Sequence, residues 1–232
     1  MRFQDAAPDA RAVVYAGIQA EPLVARAAAL LADAGPDQRV LARAAMNGMS
    51  TDAATWRAMA PTLFGAAAAG RPGPDGDQAR SEAILAVALE VAERGEQVRS
   101  QVRGAIVESL TATLAARRRG ATRDGAIRRE RRILFDGVRA EIHPYDVTVE
   151  RDGAAEAYDC KWGARGINAD VLHQLDDART HAADEEEHLE VALVVFDAAR
   201  SCAVRLDRQT APTEGTRLVA IETLDELAGA AR

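Results

Sequence analysis

Between Leu189 and Phe196 the chain reads LEVALVVF, an apolar run broken only by Glu190. The run is short for a helix and rich in valine, so it fits a strand buried on both faces. Such a strand needs structure packed on each side, which directs the chain toward a layered α/β arrangement. The segments before it agree. Asn168 is placed to cap a helix carrying Val171, Leu172, Leu175 and Ala178, which runs into the acidic stretch Asp184 to Glu187. Ahead of that helix, Val147 and Val149 alternate with Asp146 and Thr148, then Arg151-Asp152-Gly153 gives a hairpin signal, and Ala155 to Trp162 forms the partner strand. Ile133-Leu134-Phe135 followed by Asp136-Gly137 reads as an earlier strand and turn. Cys202 to Leu206 and Arg217 to Ile221 read as further short strands, and Thr223 with Glu226 as a capping box for a last helix.

Residues 1–69 read as helical, with helices from Pro22 to Asp33, from Asp37 to Met46, and from the caps Ser50-Thr51-Asp52 toward Leu63. The densest cluster of breakers, Gly70 to Asp77, marks a boundary. A helical N-terminal region over 1–76 and an α/β domain over 77–232 are therefore expected. Helix resumes at Gln78 and runs to about Arg118 with a break at Gly95. Val98, Val102, Ile106, Leu110 and Leu114 form its apolar stripe.

The chemistry centres on Lys161. Lysine and arginine total 29, and Lys161 is the single lysine among them. Arginine stays protonated at any ordinary pH, whereas an ammonium is compact and shifts its pKa near metals and carboxylates. Lys161 stands in Asp159-Cys160-Lys161, and Asp146 precedes Asp159 by thirteen positions. Strand alternation puts Asp159 and Lys161 on one face, with Tyr158, Cys160 and Trp162 on the other. A hairpin across Asp152-Gly153 brings Asp146 toward Asp159. Two carboxylates so placed suit a hard cation such as Mg²⁺ or Mn²⁺. The competing account makes both acids ion-pair partners for arginine at a sheet edge.

The order α-β-β-β-α-β after residue 78, with these residues on these elements, resembles the PD-(D/E)XK nuclease superfamily, the restriction-endonuclease-like fold. The likeness covers about residues 95–222. His143-Pro144-Tyr145-Asp146 matches the motif's aspartate, although Tyr145 separates it from the proline, and Asp159-Cys160-Lys161 matches (D/E)-x-K. The resemblance implies an αβββαβ core with a central mixed sheet flanked by helices. It also implies Mg²⁺ or Mn²⁺ held by Asp146, Asp159 and the main-chain carbonyl of Cys160, whose thiol is then core filling. The implied products carry a 5′-phosphate and a 3′-hydroxyl. Gln174, in the following helix, resembles a glutamine of the RecB-like and Mrr-like members, with a solvent-facing glutamine as the alternative. Glu108 resembles the glutamate on the family's first core helix. At 100° per residue it lies roughly 200° from Ile106, so either that helix packs through two faces or Glu108 is exposed.

The implied partner is DNA, with RNA not excluded. Net charge is −7, yet from Arg99 to Arg139 eleven arginines face four acids, a local excess of +7. Within this band Arg117, Arg118 and Arg119, and Arg128, Arg129, Arg131 and Arg132, are candidate phosphate contacts, or else solubilising charge. Docking, homo-oligomerisation or target choice falls to the N-terminal helices, and a restriction or phage-defence setting follows by analogy alone. Two other readings stay open: a nuclease-like binding module without turnover, and a helical interaction protein on an α/β scaffold. Two cysteines are too few for a disulfide framework. With no signal-like N-terminus and no apolar segment of spanning length, a cytoplasmic protein without membrane attachment is expected.

Overall fold

A computed structural model describes residues 1–7, 10–48, 50–64, 77–122, 125–139, 143–210 and 215–229, the side chains at 64, 77, 119–122 and 138–139 excepted. The chain divides into two compact units, Ala10–Thr113 and Met1–Asp9 with Leu114–Arg232. The boundary expected at residue 76 thus moves to Thr113. The breaker cluster at 70–76 lies outside the described residues. The helix after it packs on earlier helices, and that packing keeps it in the helical unit.

The helical unit comprises α1 (Ala10–Gln19), α2 (Pro22–Ala32), α3 (Pro36–Asn47), α4 (Ala53–Phe64), α5 (Asp77–Ala92) and the first part of α6 (Glu96–Thr122). Pro22 and Pro36 open α2 and α3 at the first helical position, where a missing N–H costs nothing. Asp52 caps α4, its carboxylate accepting the N–H groups of Ala54 and Thr55, both at 3.1 Å. Leu31, Leu41, Ile84 and Val91 are buried. Two buried polar side chains there are paired: Arg39 Nε donates to the Leu31 carbonyl at 3.0 Å and Gln38 Nε2 to Ser81 Oγ at 2.8 Å. On α6, Val102, Ile106 and Leu110 are fully buried as the stripe requires, but Val98 is exposed.

The α/β unit is built on a mixed sheet. Its strands are β1 (Arg2–Asp5), β2 (Ala126–Phe135), β3 (Val138–Arg139), β4 (Tyr145–Arg151), β5 (Ala154–Lys161), β6 (His188–Val195) and β7 (Arg217–Val219). The order is β1-β2-β4-β5-β6-β7, with β3 paired to β2. Pairs from β1 through β5 are antiparallel, and β5, β6 and β7 run parallel. Each parallel step needs a crossover: α7 (Ala169–Asp184) joins β5 to β6, and α8 (Ala199–Leu206) lies between β6 and β7. Leu172, Leu175 and Ala178 of α7 pack in one core cluster with Ala155 and Ala157 of β5 and Val191 and Leu193 of β6. The apolar run Leu189 to Val195 lies in β6, which is buried along most of its length.

Several expectations are corrected. Arg2–Asp5, expected within a helical region, pairs with β2, Phe3 opposite Ile133. Four residues with one large apolar side chain carry no period, so the partner strand decides. Cys202 to Leu206, expected as a strand, lies in α8. Cys202 is buried and Val204 exposed, which fits a helical period; over five residues the two periods are indistinguishable. The last helix is a 3₁₀ element, Ile221–Ala228. Thr223 acts inside it, its Oγ1 accepting the Ala220 N–H at 3.0 Å. The Arg128–Arg132 run belongs to β2.

Asn168 does cap α7, its Oδ1 accepting the Val171 N–H at 3.0 Å. Asn168→Ala is expected to lower stability by about 1 kcal/mol, read as a fall in the urea midpoint at unchanged slope. An unchanged midpoint would show the cap to be dispensable. Among the described residues no helix is long and apolar enough to cross a membrane.

Candidate active site

The hairpin sets the geometry. Gly153 turns it with φ 74°, a left-handed conformation in which a Cβ is strained. From there β4 and β5 pair in register from Arg151↔Ala154 to Val147↔Tyr158. Continued by one step, the register sets Asp146 level with Asp159, but the ladder stops first. Asp146 Oδ2 instead accepts the Cys160 N–H at 2.5 Å, so a side-chain carboxylate stands where a neighbouring carbonyl would. The two strands part at Asp146.

Asp159 is buried, 5% exposed. The Lys161 ammonium makes a close ion pair with Asp159 Oδ1. Burial pulls the Lys161 pKa down. The negative charges of Asp159 and then Asp146 outweigh it and hold the ammonium above the ordinary lysine range. The Lys161 carbonyl accepts the Phe196 N–H at 2.8 Å, on the β6 side. Peptide groups alternate along a strand, so the Cys160 carbonyl points to the β4 side, where Asp146 stands. The Cys160 side chain is buried on the face opposite Asp159.

This donor set fits a hard cation. It offers two carboxylates and a carbonyl, oxygen donors of the kind Mg²⁺ and Mn²⁺ take. Among the described residues no group of three or more His, Cys, Asp or Glu side chains could hold a metal ion. The remaining positions would fall to water, as Mg²⁺ prefers.

Gln174 is buried on α7 and grips the segment leading into β4. Its Oε1 accepts the His143 N–H and its Nε2 donates to the His143 carbonyl, both at 3.1 Å. Tyr145 Oη donates to the Gln174 carbonyl at 3.4 Å. Gln174 is therefore not solvent-facing; it fixes the chain three residues ahead of Asp146. Gln174→Ala is expected to cost about 1–3 kcal/mol, because both His143 backbone groups lose their partner. Denaturant titration reads it, and a change below 0.5 kcal/mol, about the scatter of neutral surface substitutions, would deny the clamp.

Glu108 belongs to the helical unit and is buried, so α6 packs through two faces and the exposed alternative fails. Tyr15 Oη donates to its Oε1, and Gln19 Nε2 to its Oε2 at 2.7 Å. These bonds account for its burial without a catalytic role.

The arginine band divides. Arg118 is bound to Glu156 and Tyr158, and Arg131 to Glu150 at 2.8 Å and to Asp5. These two serve internal pairs. Arg117 and Arg128 are exposed, Arg129 and Arg132 half-buried, and the Arg119 side chain lies outside the described residues. Asp197 is a residue that sequence reasoning missed. It follows β6, and its carboxylate accepts the N–H groups of Ala164 at 3.0 Å and Ala198 at 2.8 Å. No spacing in the sequence ties it to Lys161.

No protein-family model matches the sequence, and no curated protein matches it. The chain is similar to the solved structure of protein VC1899 from Vibrio cholerae, at 17% identity and a TM-score of 0.45, over 98% of this chain and 57% of that one. The chain thus spans little more than half the length of that protein.

Proposed function

We propose that the α/β unit is a metal-dependent nuclease of the PD-(D/E)XK type that hydrolyses DNA phosphodiester bonds. The observation that carries this reading is the meeting of Asp146, Asp159, the Cys160 carbonyl and Lys161 where β4 and β5 part. The mixed sheet, with α7 crossing from β5 to β6, supports it as well.

Asp146, Asp159 and the Cys160 carbonyl would hold Mg²⁺ or Mn²⁺. Such an ion supplies an acidified water and neutralises charge on the phosphate. Lys161, kept protonated by its acidic neighbours, suits the role of cation and hydrogen-bond donor more than that of proton acceptor. It would orient the attacking water and stabilise the negative charge that builds on the phosphoryl oxygens. Water oxygen bonds to phosphorus while the bond from phosphorus to the 3′ oxygen breaks. The water's proton leaves to solvent and the 3′ oxygen gains one, giving a 5′-phosphate and a 3′-hydroxyl. Gln174 keeps Asp146 in place by holding His143. Arg117 and Arg128, both exposed, are candidates for phosphate contact.

Supercoiled plasmid incubated with the protein and Mg²⁺ tests the reading. Nicked or linear product is expected from the wild type, none with EDTA and none from Asp159→Asn. Product formed equally well by Asp159→Asn would overturn it. DNA binding without cleavage by wild type would instead support the binding module.

A further inference from the structure

Lys161 is only useful to the proposed reaction if its long stem is held, and one loop does this. After β5 the chain makes a 3₁₀ turn over Ala164–Gly166. A Cβ added to Gly166 would stand 2.9 Å from Cδ of Lys161 and 3.0 Å from both its Cβ and its Cγ. The glycine is not there for its backbone, since Gly166 is absent from the left-handed positions. What it supplies is the missing side chain, which lets the turn lie directly on the lysine stem.

The turn is itself fastened. Asp197 accepts the Ala164 N–H at 3.0 Å, Arg205 Nε donates to the Ile167 carbonyl at 2.8 Å, and Ile167 is fully buried. Asp197 is fixed in turn, since its carbonyl accepts the Ile221 N–H at 3.0 Å. The turn therefore cannot back away from an added methyl group without breaking these bonds. Nor can the lysine yield easily, because one of the atoms met is its own Cβ, which moves only with the backbone of β5.

We infer that Gly166, with Asp197 behind it, is a positioning element that presses the Lys161 stem into the rotamer placing its ammonium at Asp159. The catalytic consequence rests on the nuclease reading; the packing does not. Because Lys161 is the single lysine, a protein grown on ε-¹³C-lysine gives one lysine Cε signal. Gly166→Ala is expected to move that signal and to lower kcat about a hundredfold, with KM for DNA unchanged. An unfolded fraction also lowers apparent kcat at constant KM, so kcat is referred to the folded fraction read by circular dichroism, and the moved lysine signal separates displacement of the stem from loss of fold. If Gly166→Ala does not fold, Asp197→Asn serves, since weakening the Ala164 bond is expected to sharpen the same signal as the stem gains freedom. A folded Gly166→Ala, or in its place a folded Asp197→Asn, whose lysine signal superimposes on that of wild type overturns the inference. Wild type that cuts no DNA refutes the nuclease reading, while the lysine signal still decides the packing.

Discussion

Replacing Lys161 by alanine is expected to lower Mg²⁺-dependent cleavage by about a thousandfold, the scale seen when one preorganised donor to a charged transition state is lost. The same change should strengthen divalent-metal binding. In the metal-free protein the ammonium is the cation that faces Asp159, and the charges of both Asp159 and Asp146 act on it. Removing it leaves two nearby carboxylates that repel each other and attract a divalent ion more strongly. The metal-free variant should therefore melt below wild type and recover more of its melting temperature when Mg²⁺ is added. A ligand bound only by the folded state, at a hundred times its dissociation constant, stabilises by about 2.7 kcal/mol. Thermal melts with and without Mg²⁺, run beside plasmid cleavage, separate the two effects. Cleavage at the wild-type rate would remove Lys161 from the chemistry. A melting temperature indifferent to Mg²⁺ in both proteins would remove the metal site.

Glu156→Ala is expected to be the most destabilising of these substitutions, by about 3 kcal/mol. Glu156 is buried on β5 and accepts from Tyr158 Oη, from Arg118 and, at 2.7 Å, from Arg151. Truncation leaves two partly buried guanidinium groups and a buried hydroxyl without their shared acceptor, and that penalty exceeds the net worth of the bonds. A pH dependence follows. Burial pushes the Glu156 carboxyl up, but the Tyr158 hydroxyl, Arg118 and Arg151 together hold it below the usual glutamate range. Burial and the Glu156 charge also raise the Tyr158 phenol, which stays protonated and donates. A carboxyl depressed in the folded state contributes stability above its unfolded pKa and loses it as pH falls through the folded value. Wild type should thus lose stability more steeply than Glu156→Gln as pH drops from about 5, near the unfolded glutamate value, toward 3. Urea midpoints measured across that interval decide the point. Parallel curves for the two proteins would show that Glu156 holds no depressed carboxylate.

Sequence by itself determined the features whose causes lie close along the chain. Asp152-Gly153 closes its hairpin because the only groups needed are the two flanking strands and a residue that tolerates positive φ. Asn168 caps its helix through an amide three residues away, and alternation alone put Asp159 and Lys161 on one face. Valine-rich β6 announced its own burial. The tertiary structure alone decided what depends on distant partners. Arg2–Asp5 becomes a strand because β2 offers it a ladder, and Arg131 turns inward because Asp5 and Glu150 meet it. Glu108 is buried because Tyr15 and Gln19 reach it, and Arg118 is drawn to Glu156 across 38 positions. The parting of β4 from β5, which exposes Asp146 to Asp159, likewise hangs on a Gln174 clamp set by α7. Charge and hydrophobicity can be read at each position, but a long-range pair is chosen only when packing fixes which groups share a space.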